Sequence, residues 1–249
     1  MSTFQPFAFM SGPSGATPPA GFPYEADLFA RYTFNEGTGT TVNDVSGNGV
    51  NLICNSPTVL GNQATGIFSG EFAADFTGGQ KVAYNISSPF GCSLKPFTYS
   101  FWFNTASSIN NQYLGRINRD SGCGTSFGQT AWIAGFTGST LEVFSASQRF
   151  TVLSTMPINQ WVFVTMTFSG TIGIGQVKAY VDGVFQAQNT NTSEQPPLAA
   201  DVIIGASSEN GGDALTGKVD QWSLHNFEMS AAQVTELYNW YTTNPNFIG

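Results

Sequence analysis

From residue 27 onward, apolar and polar positions alternate in short runs separated by Gly, Asn, Asp and Ser. That pattern predicts half-buried β-strands joined by tight turns, as in a sandwich or barrel. Phe97, Tyr99, Phe101 and Phe103 share one face of a strand, with Thr98, Ser100 and Trp102 on the other. Trp161 to Phe168 is apolar on both faces, which predicts a central strand covered on each side. Val177, Ala179 and Val181 alternate with Lys178, Tyr180 and Asp182, and Asp182-Gly183 before Val184 to Ala187 predicts a two-residue hairpin. One helix stands near the end. Ser230 and Gln233 form a capping box, and Val234, Leu237, Tyr238 and Tyr241 make one apolar stripe that should lie against the sandwich.

The first 26 residues break this pattern. Pro6, Pro13, Pro18, Pro19 and Pro23 forbid a helix, while Phe4, Phe7, Phe9, Phe22 and Tyr24 are too many aromatics for a purely solvated linker. Residues 1–26 therefore read as an extended arm that docks on a partner or on its own domain, with a frayed tail as the alternative, and residues 27–249 as one all-β domain.

Composition narrows the setting. Apolar residues make up 41% of the 249 and aromatics 14%, so there is a core to bury and wholesale disorder is excluded. Charged residues reach only 10%, so Ser, Thr, Asn, Gln and Gly supply much of the polar surface, a texture of secreted and virion-surface β proteins. A net charge of -8 with no basic cluster argues against nucleic acid as a partner. No run approaches the ~20 apolar residues of a membrane span. The N-terminus has no basic n-region, and Gln5 and Pro6 break its apolar run, so it does not read as a secretory signal. Cys54, Cys92 and Cys123 are an odd number without CxxC spacing, which predicts buried free thiols, with one pair plus one free thiol as the alternative.

Several segments in order resemble the laminin-G-like, concanavalin A-like jelly-roll family. They are Leu28 to Gly39, Val42-Asn-Asp-Val-Ser-Gly-Asn-Gly49 with its DxSGNG turn, Phe72 to Gly79, the strands Phe97 to Phe103 and Trp161 to Phe168, the Tyr180 to Gly183 hairpin, Gly217 to Trp222, and the Ser230 to Tyr238 helix. The resemblance spans residues 27 to 240 and implies two antiparallel sheets in a jelly roll, often with a structural calcium and often with a carbohydrate or protein ligand. Fold alone fixes no function. A jelly roll behind an aromatic, proline-rich arm looks like a viral structural protein, such as a phage capsid decoration, head-fibre or tail-fibre subunit.

Candidate sites follow. Asp220 alternates in phase with Trp222 and Leu224, so its carboxylate should point inward with them, where an unpaired charge is costly. Asp44 sits in a Gly- and Asn-rich turn able to offer hard oxygen ligands, and the resemblance implies a structural calcium held by Asp44 and Asp220 with Asn48 as a third ligand. The alternative is that Asp44 caps its own turn. Tyr113 and Trp132 lie in a Gly-, Asn- and Ser-rich stretch expected to include exposed loops, where aromatics stack on sugars; Trp132 reads equally as core beside Ile133 and Phe136. Glu142 is the one mid-chain carboxylate flanked by strand-like apolar residues, with no second acid at i+2 or i+4, so the acid pair of a glycan hydrolase is missing. His225, the single histidine, reads as a turn or edge residue, and no GxSxG elbow accompanies it. The sequons at Asn85 and Asn191 matter only in a secreted eukaryotic protein.

The expectation from sequence is a non-enzymatic virion-surface protein, made in a host cytoplasm, oligomeric, and joined to other virion proteins by the arm residues Phe4, Phe7, Phe9, Phe22 and Tyr24. Host glycan contact would occur through Tyr113 and Trp132. The alternatives are a secreted, extracellular carbohydrate-binding or adhesion lectin, and a glycan hydrolase of the same fold.

Overall fold

The computed structural model describes residues 21–86, 96–107, 112–118, 131–136, 140–145, 148–171, 174–190 and 201–244. Two antiparallel sheets face each other. The first runs β14 (Val184–Gln188), β13 (Val177–Val181), β12 (Val162–Phe168), β7 (Phe97–Thr105), β16 (Gly217–His225), β5 (Phe72–Asp75) and β4 (Ala64–Thr65), with β1 (Leu28–Tyr32) also paired to β16. The second runs β11 (Gln148–Leu153), β10 (Thr140–Ser145), β9 (Ala131–Phe136), β8 (Gln112–Asn118), β15 (Asp201–Ile204), β6 (Ala83–Asn85), β3 (Leu52–Cys54) and β2 (Thr41–Val42). A one-turn helix, α1 (Thr58–Gly61), precedes β4, and α2 (Ala231–Thr243) follows β16. The architecture is the all-β, two-sheet antiparallel sandwich with one short C-terminal helix: patterning predicts the strands and the helix with sandwich or barrel open, and the resemblance implies the two sheets.

Period-two alternation explains the layering. Phe97, Tyr99, Phe101 and Phe103 of β7 and Val162, Val164, Met166 and Phe168 of β12 enter the core between the sheets. On the opposite faces of the same strands, Trp102 and Phe163 meet α2. Strand β12 is buried at every position for this reason, with sandwich core on one side and helix on the other. Ser230 caps α2 as predicted: its Oγ accepts from the Gln233 N–H at 3.4 Å, and Gln233 Oε1 accepts from the Ser230 N–H at 2.9 Å. The helix buries Val234, Leu237, Trp240 and Tyr241, while Tyr238 packs at its margin. The Asp182-Gly183 turn has φ of 48° and 77°, the doubly positive geometry that favours this dipeptide. Cys54 is a buried free thiol, and burial pushes its pKa up to about 12; Cys92 and Cys123 lie outside the described residues. Among the described residues no helix is long and apolar enough to cross a membrane.

Phe22 is 5% exposed and belongs to the layer beneath α2. Its ring lies 5.1 Å from that of Trp240, 5.9 Å from Tyr241 and 6.0 Å from His225, with the Arg31 guanidinium carbon 4.1 Å from its centroid. Tyr24 packs on Phe227, and its hydroxyl donates to Glu236 of α2. The domain's own packing thus reaches back to Phe22, and residues 21–27 form a strap across β16 and α2. Phe4, Phe7 and Phe9 lie outside the described residues.

Candidate functional site

Among the described residues no helix covers the outer face of the second sheet as α2 covers the first, and an irregularity in β8 decides what that face displays. Strict alternation would put Tyr113 and Gly115 on one face and Leu114 and Arg116 on the other. The pairing with β9 instead shifts between Tyr113 and Gly115. Leu114 is fully buried in the inter-sheet core, and a Cβ on Gly115 would meet Phe101 of that core at 3.3 Å, so both point inward. Tyr113 and Arg116 are left together on the outer face, each partly exposed. Bulges of this kind re-aim side chains near binding sites.

Register extends the patch across four strands. Arg116 is paired with Trp132 of β9, Trp132 with Phe144 of β10, and Phe144 with Arg149 of β11. Directly paired residues share a face, so two arginines bracket two aromatic positions in one transverse row, about 14 Å long at ~4.8 Å per strand. In the next row Tyr113 pairs with Ala134, Ala134 with Glu142, and Glu142 with Thr151. Tyr113 and Trp132 thus stand on neighbouring strands in neighbouring rows rather than in the loops expected from their surroundings. On the other side of Arg116 the row continues to Ile203 and Tyr84, which pack with Val82 and Ala206.

The charges on this face are matched. Arg149 Nε lies 3.1 Å from Glu142 Oε2, and Thr140 Oγ1 donates to Glu142 Oε1 at 3.2 Å. Arg116 Nη1 donates to the Ser207 carbonyl. Burial lowers the Arg116 pKa, against the pull of Tyr113, Glu209 and Asp201. Burial and Asp213 raise the Tyr113 phenol above its ordinary 10.0, so at neutral pH it remains a hydroxyl donor. The face therefore offers aromatic surface with guanidinium and hydroxyl donors, while the Glu142 carboxylate is buried against Arg149 and Thr140.

The three proposed calcium ligands are engaged otherwise. Asp44 Oδ1 accepts from the N–H groups of Arg31 at 3.0 Å and Ser46 at 2.9 Å, and Oδ2 from Val50 at 3.0 Å, so this carboxylate caps its turn and ties it to β1. Asn48 donates through Nδ2 to the Leu28 carbonyl at 3.0 Å and the Phe29 carbonyl at 3.1 Å. Asp220 is fully buried, but not in phase with Trp222. Gln221 has φ of 48° at a break in the β16 register, so Val219, Trp222 and Leu224 enter the inter-sheet core while Asp220 does not join them. Its Oδ2 accepts from the Ile67 N–H at 2.8 Å and its Oδ1 from the Gln221 N–H at 2.7 Å. A Cβ on Gly66 would sit 2.5 Å from Oδ2, so only glycine lets the chain close over this carboxylate. Burial holds the Asp220 pKa well above 3.8. With the carboxylate oxygens of Asp44 and Asp220 committed to backbone N–H groups, these residues do not fit a shared calcium site, and among the described residues no group of three His, Cys, Asp or Glu side chains is placed to hold a metal.

His225 closes β16 fully buried, against the edge position expected for it. Burial pushes its pKa down to about 4, opposed by the Pro23 backbone and reinforced by Arg31. Nearby, Arg31 Nη2 donates to Gln221 Oε1 at 3.1 Å, and Gln221 Nε2 donates to Glu71 Oε2 at 3.1 Å. This polar network locks the strap, β1 and β16 beneath α2. Asn85 spends its Nδ2 on the Asn51 carbonyl at 2.8 Å, and Asn191 lies outside the described residues.

The family model of the concanavalin A-like lectin/glucanases superfamily matches residues 76–235. A search of curated proteins found no match. Among solved structures, domain 4 of AbnA, a GH43 extracellular arabinanase from Geobacillus stearothermophilus in complex with arabinotriose, is similar with a TM-score of 0.58 at 18% identity, over 85% of this chain and 98% of that one. The receptor-binding domain of botulinum neurotoxin D gives 0.60 at 13% identity, over 86% and 53%. Trypanosoma rangeli sialidase gives 0.64 at 15% identity, over 94% and 35%. The chain thus spans nearly all of the arabinanase domain, about half of the neurotoxin domain and about a third of the sialidase. At these identities the likeness is one of fold.

Proposed function

We propose, from the premise that this chain belongs to the concanavalin A-like lectin/glucanases superfamily, that it is a non-enzymatic carbohydrate-binding module that lays an oligosaccharide across the outer face of its second sheet. The observation that carries this reading is the β8 irregularity, which puts Tyr113 and Arg116 on the same face as positions 132, 144 and 149. Sugar sites combine an aromatic surface with a few placed polar groups, and this face has both. The similarity to a domain solved with arabinotriose, in an extracellular arabinanase, favours the extracellular lectin alternative.

Binding without cleavage is favoured by Glu142. Glycoside hydrolysis needs two facing carboxylates, but the positions registered beside Glu142 are Thr151 and Ala134, and Arg149 neutralises its charge. A virion-surface role rests on the arm, and Phe22 and Tyr24, the arm aromatics within the described residues, are spent on the domain itself.

Affinity electrophoresis through gels containing arabinan, xylan, mannan or mixed β-glucan tests the proposal. At least one polysaccharide should retard the protein, and Tyr113→Ala should weaken retention about tenfold, or about 1.4 kcal/mol, with little change in the melt. Retention by none, or retention indifferent to Tyr113→Ala in a folded variant, would overturn it.

A further inference from the structure

The charge arrangement on this face points to a chemical class of sugar, an inference that rests on the carbohydrate-binding reading above. We propose that the site takes neutral, hydroxyl-rich glycans and discriminates against carboxylated or sulfated ones.

Arginines on a sugar-binding face ordinarily suggest an anionic ligand, and three of the chain's four arginines, Arg116, Arg119 and Arg149, fall between residues 116 and 149. The surroundings of the two described ones argue otherwise. Arg149 is half exposed, but its Nε is 3.1 Å from the carboxylate of Glu142, whose side chain is only 9% exposed. A sugar carboxylate or sulfate could claim that guanidinium only by displacing Glu142, leaving a buried carboxylate without its cation, which costs more than the new pair returns. Arg116 has one arm on the Ser207 carbonyl and lies in the field of Asp201 and Glu209, while Asp213 acts on neighbouring Tyr113. Three carboxylates thus bear on two guanidiniums, in a chain whose net charge is -8. An approaching anion meets repulsion rather than steering.

For a neutral sugar the same groups are complementary. The outward N–H groups of a guanidinium and the Tyr113 hydroxyl donate to sugar hydroxyl oxygens, so a neutral ligand gains bonds while the Arg149–Glu142 pair stays intact. Phe144 lies between the two arginines in the row, where the apolar face of a sugar ring would rest.

The test is a titration of the whole chain, by calorimetry, against neutral arabino-, xylo- and manno-oligosaccharides and against oligogalacturonate, sialyllactose and heparan sulfate fragments. Neutral ligands should bind at least about tenfold more tightly than acidic ones. Their affinity should change less than about twofold between about 50 mM and about 500 mM NaCl. Glu142→Gln removes the charge that matches Arg149 and should narrow the gap between the classes severalfold. Preference for an acidic glycan, or loss of affinity with added salt, in the unmodified protein overturns this inference while leaving carbohydrate binding standing. Binding of neither class overturns both. The selectivity and salt dependence are read on the unmodified protein, so the test survives a Glu142→Gln variant that does not fold.

Discussion

Phe22→Ala is the most informative perturbation of the fold, because Phe22 separates a strap that belongs to the domain from an arm that reaches outward. The ring is 5% exposed, wedged against Trp240, Tyr241 and His225, and lies over the Arg31 guanidinium. Burying a Phe contributes about 1.5–3 kcal/mol, and the unfilled cavity raises the usual cost of Phe→Ala in a core to about 3–5 kcal/mol. Loss of the cation–π contact adds roughly 0.5–1 kcal/mol. The site lies under a terminal strap that can partly collapse, so we expect the lower end, about 3 kcal/mol. For a domain of this size that corresponds to a melting point lower by about 6–12 °C. Thermal unfolding followed by circular dichroism measures it, alongside two truncations. Removing residues 1–20 should leave the melt within about 2 °C of the full chain, whereas removing 1–24 should lower it, by less than Phe22→Ala because ordering the strap also costs backbone entropy. Equal melts for Phe22→Ala and the full chain would refute the strap and return Phe22 to an outward-facing role.

Asp44→Ala removes the acceptor for three backbone N–H groups and should cost about 1–3 kcal/mol, and EGTA or added calcium should leave the melts of both forms unchanged; a chelator-sensitive melt would restore the metal reading. Acid sensitivity should run through His225, which stays neutral in the fold down to about 4 but protonates near 6.5 when unfolded. Between those values the unfolded chain binds the extra proton, so the contribution is intact above about pH 6.5 and falls by about 3 kcal/mol as pH drops to about 4. Asp220, with its pKa raised above 3.8, holds its proton in the fold and so weakens the fold as pH rises past 3.8. The two slopes oppose each other, and comparing chemical denaturation of the natural chain and His225→Phe across this range isolates the histidine; parallel profiles would contradict its burial as a neutral group.

The elements legible in the sequence are those whose signals are local. Alternation along β7, double-sided burial of β12, the Asp182-Gly183 turn and the Ser230–Gln233 box each follow from neighbouring residues, and each appears where expected. What the sequence hid depends on pairing. The phase of Asp220 relative to Trp222 is broken by one left-handed residue, Gln221, whose conformation nothing local demands. The same holds for β8, where Tyr113 and Arg116, three apart, share a face only because the register with β9 slips between them. Tyr113 and Trp132 were recognisable as candidates by residue type, but Arg116, Phe144 and Arg149 join them through strand order, which alternation alone does not specify. Trp240 lies outside the predicted stripe because Tyr238 and Tyr241 already satisfy the i+4 and i+7 spacing from Val234, and only packing shows that Trp240 is buried while Tyr238 stays at the margin. Phe22 could have been found from its place next to the first strand, but the prolines around it spoke for an outward segment.

The central claim is that the outer face of the second sheet holds the glycan. Its most direct test is a backbone amide titration by NMR, using the isotopically labelled chain and the neutral oligosaccharide that it retains best. Our account predicts that shifted amides cluster on β8, β10 and β11, at and beside Tyr113, Arg116, Glu142 and Arg149, while those of α2 and of the strap around Phe22 stay in place. Shifts centred on α2 and β14, with the second sheet silent, would contradict it.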